Sequence, residues 1–286
     1  MIDVPSPSMP PPLLRAIVKR VEDVPGLAGV CAGFEAGEWR YDQLAEHIVE
    51  WLPEFALNER EFNALSGVNA RRALRAAAET IYKSAKYASR GEVGEILLHA
   101  IIRQEFGSVP AISKVFFKDA PNDTVKGFDA VHVVEAADGL ELWLGEVKLY
   151  QDVASAVRDV VDELNQHTRI PYLRSEFAAI WRKVDQEHPH RAALERLLAG
   201  NITMDEVFER LCIPVLLTYD STTLAAHRRT DAAYEAAITA EFEKHHQRFC
   251  GANLPAEIKI ILILLPMNNK AKLLERFDAK LKGMMA

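Results

Sequence analysis

The stretch that decides the fold runs from Phe128 to Lys148 and reads FDAVHVVEAADGLELWLGEVK. Both of its halves have the residue types and the period of two that are typical of strands. The Asp138-Gly139 pair between them is a typical two-residue hairpin turn. The stretch therefore predicts an antiparallel hairpin. A turn closed by these two residues would place Asp129 opposite Lys148 on the neighbouring strand.

Three charged residues of this hairpin are expected on one face of the sheet, because side chains alternate between faces along a strand. They are Asp129, Glu146 and Lys148, with Cβ separations of roughly 5 to 8 Å on an otherwise apolar surface. Two carboxylates in such surroundings are costly unless a cation neutralises them, and one lysine balances only one charge. A divalent cation between Asp129 and Glu146 resolves this conflict. Mg²⁺ binds one or two carboxylates and keeps its other positions for waters and a substrate phosphate.

The same residue types are suited to hydrolysis of a phosphodiester bond. Lys148 would orient or help to deprotonate the attacking water and would offset charge on the phosphate. A further carboxylate is available on a preceding helix, predicted from Gly91 to about Phe106, where Glu92 and Glu95 lie one turn apart beside two glycines. Of these two glutamates we favour Glu95, because it directly precedes the apolar step at 96–97.

The pattern of an acidic residue, any residue and a lysine occurs three times, beginning at Glu146, Glu257 and Asp278. Only the first has an acidic residue placed opposite it on a hairpin-linked strand, and only the first follows a helix with its own glutamates. We therefore interpret Glu146 to Lys148 as functional. The alternative is that Asp129 and Lys148 form a cross-strand ion pair on a surface strand.

The remaining sequence predicts an α/β fold. Asp152 is a suitable N-cap for a helix, and Thr203 to Glu206 form a capping box at the start of another. Two short apolar runs, at 213–219 and 258–265, are each followed by a helical segment, which favours central strands covered on both faces. A further strand is expected at 114–118.

We expect a three-layer α/β/α core with a mixed sheet, formed by residues 88–286 together with a C-terminal helix. Residues 1–87 are predicted to form a mostly helical region with a short strand near 29–34. Its beginning reads as a mobile proline-rich arm.

The chain of 286 residues carries a net charge of −7, with 49% hydrophobic residues. This is the composition of an ordinary globular protein, and its acidic balance excludes a polybasic mode of nucleic-acid binding. A local basic region remains, because residues 69–90 hold six basic residues and one acidic residue. Five of the six form a basic stripe along a helix predicted over 71–90: Arg72, Arg75, Lys83, Lys86 and Arg90. This stripe could grip a phosphate backbone, and a solvated helix face explains it equally well.

Several other classes of protein are disfavoured. The longest apolar run, from Ile260 to Leu265, is far short of the roughly 20 residues that a membrane helix needs, and the N-terminus lacks the pattern of a signal peptide. Three widely spaced cysteines favour a reducing cytoplasm. The histidines at 188, 190, 245 and 246 have no ligand partner at a suitable spacing, so we expect them on the surface or in loops. There is no phosphate-binding loop, so the chain is expected to bind no nucleotide.

A resemblance to a known superfamily rests on the residues above. Glu95, Asp129 and Glu146-Val147-Lys148, in the order helix, strand, hairpin, strand, resemble the core of the PD-(D/E)XK nucleases. More narrowly, the segments GEVGEILLH at 91–99 and GEVKLY at 145–150 resemble the HamA family, the effector subunits of Hachiman anti-phage defence systems. One difference is visible, since Phe128 stands where the superfamily's name has proline.

The resemblance implies a restriction-endonuclease-like core and a nuclease that depends on Mg²⁺ or Mn²⁺ and acts on DNA. It implies Asp129 and Glu146 as metal ligands, Glu95 as an outer or second-metal ligand, and Lys148 as the residue that positions the nucleophile. It also implies a HamB-type helicase as partner. Two other interpretations stay open. One is a catalytically inactive adaptor that docks the helicase, and the other is an RNase, because nothing in the sequence reads a 2′-hydroxyl.

Overall fold

The structure is a computed structural model, and it describes residues 9–84, 91–112, 127–137 and 139–286. Within these ranges the chain forms nine strands and twelve helices. The strands are β1 (Arg15–Arg20), β2 (Gly26–Cys31), β3 (Phe34–Glu35), β4 (Glu38–Trp39), β5 (Val109–Pro110), β6 (Ala130–Ala136), β7 (Gly139–Leu149), β8 (Leu211–Asp220) and β9 (Lys259–Met267). The helices are α1 (Tyr41–Glu50), α2 (Leu52–Ala56), α3 (Glu59–Asn63), α4 (Ala70–Ser84), α5 (Gly91–Phe106), α6 (Val153–His167), α7 (Ile170–Trp181), α8 (Arg191–Leu198), α9 (Met204–Phe208), α10 (Thr222–Ala226), α11 (Ala232–Cys250) and α12 (Lys270–Met285).

Seven strands form one mixed sheet in the order β1-β2-β9-β8-β7-β6-β5. The four inner strands β2, β9, β8 and β7 run parallel, and the outer strands pair antiparallel. Strands β8 and β9 are buried along almost their whole length, as parallel strands covered on both faces should be. The predicted α/β fold with a mixed sheet is confirmed.

Helices α5 and α6 cover opposite faces of β7. A Cβ atom added to Gly94 of α5 would lie 2.9 Å from Val147, an odd-numbered position of the strand. The even-numbered Lys148 forms an ion pair with Glu163 of α6. Successive side chains of a strand point to opposite faces, so the two helices belong to separate layers. This arrangement agrees with the expected three-layer order of helix, sheet and helix.

Two glycines on facing elements set the spacing between α5 and the sheet. A Cβ atom added to Gly145 of β7 would lie 2.7 Å from Leu98 of α5 and 3.0 Å from Ala130 of β6. Gly94 makes the corresponding close approach from the helix side. Because neither residue has a side chain, the first turns of α5, which include Glu95, pack directly against the end of β7.

The register of the β6–β7 hairpin differs from the sequence prediction. Ala136 faces Gly139, so the connection consists of positions 137 and 138, and each residue of β6 faces a position two residues earlier on β7 than expected. The predicted pairing of Asp129 with Lys148 is therefore wrong. Continued by one residue beyond its last pair, the observed register brings Asp129 next to Glu146. A shift of two residues leaves every side chain on its face, so the three charged residues still share one side.

Most of the other predicted elements are confirmed. Helix α5 begins and ends at the predicted residues. The carboxylate of Asp152 caps α6 by accepting from the N–H of Ser155 at 2.7 Å, and the Thr203–Glu206 capping box opens α9. The predicted helix over 71–90 corresponds to α4 as far as residue 84. The rest of that helix, the strand expected at 114–118, Asp138 and the first eight residues of the arm lie outside the described residues.

The N-terminal region contributes more to the sheet than the sequence predicts. It supplies both β1 and β2, and β2 pairs in parallel with β9 near the middle of the sheet. The proposed division of the chain at residue 87 stays a prediction. None of the helices within the described ranges combines the length and the apolar character that a membrane crossing requires.

Three of the histidines expected on the surface or in loops are buried: one lies in a loop, as predicted, and two lie on α11, where the prediction is wrong. They are His188, His245 and His246. Nε2 of His188 lies 3.0 Å from the carbonyl oxygen of Pro110. Nε2 of His246 lies 2.8 Å from the carbonyl oxygen of Pro25. The two carbonyl groups give the buried rings of His188 and His246 a hydrogen-bond partner, as buried polar groups require.

Candidate active site

The charged residues of the hairpin meet at the carboxyl end of β7, within the parallel part of the sheet. Glu146 is almost completely buried, with 2% of its surface exposed. Lys148 lies two residues further along the same face and is half-buried. Ligands of open α/β sheets bind at the carboxyl ends of the strands, so the site occupies the usual edge.

Asp129 is attached to the same strand end through the backbone. It directly precedes β6, and its N–H donates to the carbonyl of Gly145 at 2.7 Å. Its carboxylate oxygen Oδ2 accepts from the N–H of Val147 at 2.9 Å. The side chain of Asp129 is therefore held at the residue that separates Glu146 from Lys148.

The electrostatics of Glu146 reflect its surroundings. Burial raises its pKa to about 7, the hydrogen bond with His167 acts in the opposite direction, and the charge of Asp129 adds to the rise. An ordinary glutamate ionises more than two pH units lower. The fold therefore holds Glu146 where its negative charge is unfavourable without a nearby cation.

Helix α6 supplies a partner to each polar side chain of the Glu146-Val147-Lys148 segment. Nδ1 of His167 lies 2.6 Å from Oε1 of Glu146. Nζ of Lys148 donates to Oε2 of Glu163. Burial alone would lower the pKa of Lys148, but the hydrogen bond and charge of Glu163 outweigh it, and the net shift is upward. Lys148 is therefore a cation at neutral pH.

Aromatic rings fix the orientation of His167. Its ring stacks on Tyr172 of α7, with centroids 4.5 Å apart and planes 10° from parallel. Phe128 meets the same imidazole edge-on at 5.5 Å. The pKa of His167 is raised because the hydrogen bond and charge of Glu146 outweigh the effect of burial. The upward shift fits an Nδ1–H that donates to the carboxylate of Glu146.

Neither His167 nor Glu163 is among the site residues predicted from the sequence. The spacing could have identified both. Residues four apart lie on one helix face, and this helix directly follows the strand of Lys148, so a polar pair on its buried side faces the charged strand residues.

The donor set can be compared with the needs of a divalent cation. Among the residues with described positions, no three His, Cys, Asp or Glu side chains gather closely enough to hold a metal by themselves. Asp129 and Glu146 form a pair of hard oxygen ligands, which matches Mg²⁺ bound through two carboxylates, waters and a substrate phosphate. The raised pKa of Glu146 is the second observation that fits, because a bound cation would stabilise its ionised form.

Glu95 lies on the other layer, in the first turns of α5, and is half-buried. Its neighbour Gly94 contacts Val147, so Glu95 is at the level of the site along the strand. In the described arrangement it does not complete a three-carboxylate cluster with Asp129 and Glu146. Its assignment as an outer or second-metal ligand stays a prediction, as does the choice of Glu95 over Glu92.

The structure describes only part of the basic stripe. Arg72 and Arg75 are exposed on α4, and Arg75 forms an ion pair with Glu79 at 3.0 Å. The side chain of Lys83 and the whole of Lys86 and Arg90 lie outside the described part. The role of the stripe in nucleic-acid binding stays a prediction.

A buried polar chain lies behind Asp129, on the α5 side of the sheet. Nε2 of His99 lies 2.9 Å from Oε2 of Glu54 in α2, and its Nδ1 lies 3.1 Å from Nε2 of His132. Nδ1 of His132 lies 2.9 Å from the hydroxyl of Ser108. A cavity of about 10 Å³, enough for one water, is lined by three of these hydrogen-bonded residues, Glu54, His99 and His132, and by Asp129. These hydrogen bonds connect helix α2 in the N-terminal region to β6, the strand that follows Asp129.

Comparison with known protein families gives a match over most of the sequence. A family model described as HamA matches residues 13–281, which is nearly the whole chain. The matched range includes Glu95, Asp129, Glu146 and Lys148, as well as both α6 residues that contact the site. A search of curated proteins finds no match to the sequence. On the strength of the family match, the chain belongs to the HamA family.

Proposed function

We propose that this protein is a metal-dependent deoxyribonuclease that hydrolyses phosphodiester bonds, and that its active site is formed by Asp129, Glu146 and Lys148. The observation that carries the proposal is the burial of Glu146 beside Asp129 at the end of β7, with Lys148 on the same face. Two neighbouring carboxylates with little solvent around them favour a cation. A lysine at the same point supplies the positive charge that a reacting phosphate requires.

Each residue of the site has a proposed role. When bound, Mg²⁺ or Mn²⁺ would polarise the phosphate and lower the pKa of a water molecule. Asp129 and Glu146 would hold it, with Glu95 as an outer or second-metal ligand. Lys148 keeps its proton at neutral pH because its pKa is raised. It would therefore position the nucleophile and offset phosphate charge rather than accept a proton.

Membership of the HamA family supports a role in Hachiman anti-phage defence. We propose that the chain is the effector subunit and acts in the cytoplasm with a HamB-type helicase. The sequence contains no GxxxxGK loop, so nucleotide-driven motion would come from the partner. The acidic net charge fits this division, because a chain with a charge of −7 should bind bulk DNA weakly by itself.

The proposed path of the DNA backbone runs along the basic stripe. Arg72 and Arg75 are exposed, and lysines and arginines of this kind make the sequence-independent phosphate contacts that place a nuclease on its substrate. Such contacts would orient the strand without reading its sequence.

The test uses the purified full-length chain, alone and with its helicase partner. Supercoiled plasmid, linear duplex, single-stranded DNA and single-stranded RNA are each incubated with Mg²⁺, Mn²⁺ or EDTA. The proposal expects nicking or degradation of DNA that EDTA abolishes. Binding of the partner and of DNA without any cleavage would identify an adaptor instead, and metal-dependent cleavage of RNA alone would identify an RNase.

A further inference from the structure

Each functional side chain of the candidate site has an identified hydrogen-bond partner. The carboxylate of Asp129 accepts from the backbone N–H of Val147. Glu146 contacts His167, and Lys148 contacts Glu163. The first partner belongs to the strand itself, whereas the other two belong to α6.

The two α6 partners occupy successive turns of one helix. Glu163 and His167 are four residues apart, a spacing that places both side chains on the same face. That face packs on β7 over Glu146 and Lys148, which lie two residues apart on one side of the strand. The spacing of the helix thus matches the spacing of the strand residues, and both polar groups are engaged at once.

The imidazole of His167 is held rigidly enough to direct a carboxylate. Stacking on Tyr172 fixes its plane, and the edge contact with Phe128 limits its rotation within that plane. Only 17% of the His167 side chain is exposed, and the Glu146 side chain is 2% exposed. The contact is therefore shielded from competing water, and the direction of Nδ1 determines which oxygen of Glu146 is bound and which is left for a ligand.

We propose that His167 and Glu163 are positioning residues, with His167 orienting the carboxylate of Glu146 and Glu163 orienting the ammonium of Lys148. This inference rests on the proposed nuclease function. Partners that orient a metal ligand typically change metal affinity or activity by 10- to 100-fold when they are removed. Neither residue touches substrate in this scheme, so both act through the residue they orient.

Two substitutions separate the hydrogen bond of His167 from the packing of its ring. His167→Phe keeps a ring that can stack on Tyr172 but removes the donor. His167→Asn loses the ring but places an amide N–H near the position of Nδ1. If His167 positions Glu146, we expect the Phe variant to bind Mn²⁺ about 10- to 100-fold more weakly and to lose a similar factor in kcat, with KM for DNA within about twofold of wild type. The Asn variant should recover most of both losses.

Glu163 is tested in the same way. Glu163→Gln retains an oxygen that can accept from Lys148, whereas Glu163→Ala retains none. We expect kcat to fall more in the Ala variant than in the Gln variant. The control for His167→Phe is His190→Phe, because His190 is also half-buried and lies near a carboxylate, 3.8 Å from Glu135, but outside the site. It should leave Mn²⁺ binding and kcat unchanged.

The readouts distinguish failure of this inference from failure of the nuclease assignment. Mn²⁺ affinity, measured by calorimetry on the full chain with thermal unfolding as a folding check, does not depend on cleavage. Equal effects of the Phe and Asn variants, or a Phe variant indistinguishable from wild type, would overturn the positioning role even if the wild type cuts DNA. Weakened Mn²⁺ binding in the Phe variant and its recovery with Asn would support that role even if no cleavage occurs. A wild-type chain that neither binds Mn²⁺ nor cuts would refute both.

Discussion

The carboxylate of Asp129 accepts a hydrogen bond from the backbone N–H of Val147 at 2.9 Å, across the mouth of the β6–β7 hairpin. This bond joins the residue before one strand to the residue between the two functional positions of the other. It places a second carboxylate beside the buried Glu146. Burial raises the pKa of Glu146, the hydrogen bond with His167 opposes the rise, and the nearby charge of Asp129 adds to it.

Replacing Asp129 by Asn tests whether its charge, rather than its hydrogen bond, matters. The amide oxygen of Asn can still accept from the N–H of Val147, so we expect little change in thermal stability. Metal-dependent cleavage should fall by more than about 100-fold, because loss of a direct ligand exceeds the effect of losing an orienting partner. Cleavage rates at saturating Mg²⁺ and thermal unfolding measure the two effects. Cleavage within about tenfold of wild type would contradict the ligand role.

Replacing Gly145 by Ala tests the close packing of α5 on β7. The new Cβ atom would lie 2.7 Å from Leu98 and 3.0 Å from Ala130, so the layers must separate. Overpacking of this kind costs about 1–3 kcal/mol in the free energy of unfolding, which urea titration measures. Gly200→Ala is the matched control, since among the described residues no atom outside its chain neighbours lies within 4 Å of the added Cβ there. Equal stability of the two variants would show that the contact between α5 and the sheet is looser than described.

The pH dependence of stability should show the buried His47. Burial lowers its pKa to about 4, from an ordinary value near 6.5. The unfolded chain therefore binds the proton first as the pH falls, and stability that is complete above about pH 6.5 is lost on the way to pH 4. The loss from this residue should be about 3 kcal/mol. His47→Gln keeps an acceptor for the indole N–H of Trp51 and removes the titration, so its unfolding free energy should fall less steeply over this range. Identical slopes for variant and wild type would contradict burial of a neutral ring.

The basic stripe makes a separate prediction about salt. Replacing Arg72 and Arg75 by Gln should weaken DNA binding at low salt for all sequences alike. It should also reduce the magnitude of the slope of log affinity against log salt concentration by about 2, since each lost phosphate contact contributes about 0.9 for duplex DNA. Fluorescence anisotropy at several salt concentrations gives the slope. Arg20→Gln is the control, because Arg20 is also an exposed arginine with carboxylate partners but lies on β1, outside the stripe. An unchanged slope in the double variant would favour a solvated helix face.

Sequence reasoning grouped the charged residues correctly although it placed the hairpin register incorrectly. The period of two decides which face a strand residue occupies, and the error of two residues in the register preserved that face for Asp129, Glu146 and Lys148. The pairing itself depends on where the turn closes, and a Gly that begins β7 with φ +133° resembles a turn residue in sequence.

The partners of these residues were harder to predict because they lie on a different element, α6. His167 and Glu163 are recognisable as a polar pair four residues apart, but only the packing of α6 on β7 shows which strand residues they meet. The same holds for β2, whose small and apolar residues give a weak strand pattern and whose place beside β9 is set by tertiary pairing. The local sequence pattern predicts the helices and strands and the face on which each side chain lies. The contacts between the helix layers and the sheet can be read only from the three-dimensional structure.

The central claim is that Glu146 and Lys148 carry out metal-dependent hydrolysis of DNA. The most direct test is plasmid cleavage by the complex with its helicase partner, comparing wild type with the double variant Glu146→Ala, Lys148→Ala. The control double variant, Glu141→Ala, Lys259→Ala, removes an acid and a lysine that pair at 3.1 Å near the amino ends of β7 and β9, at the opposite edge of the sheet from the site. We expect wild type and control to cut in Mg²⁺ but not in EDTA, and the Glu146, Lys148 variant to remain folded, bind its partner and leave the plasmid intact. Cleavage by that folded variant at the wild-type rate would contradict the claim.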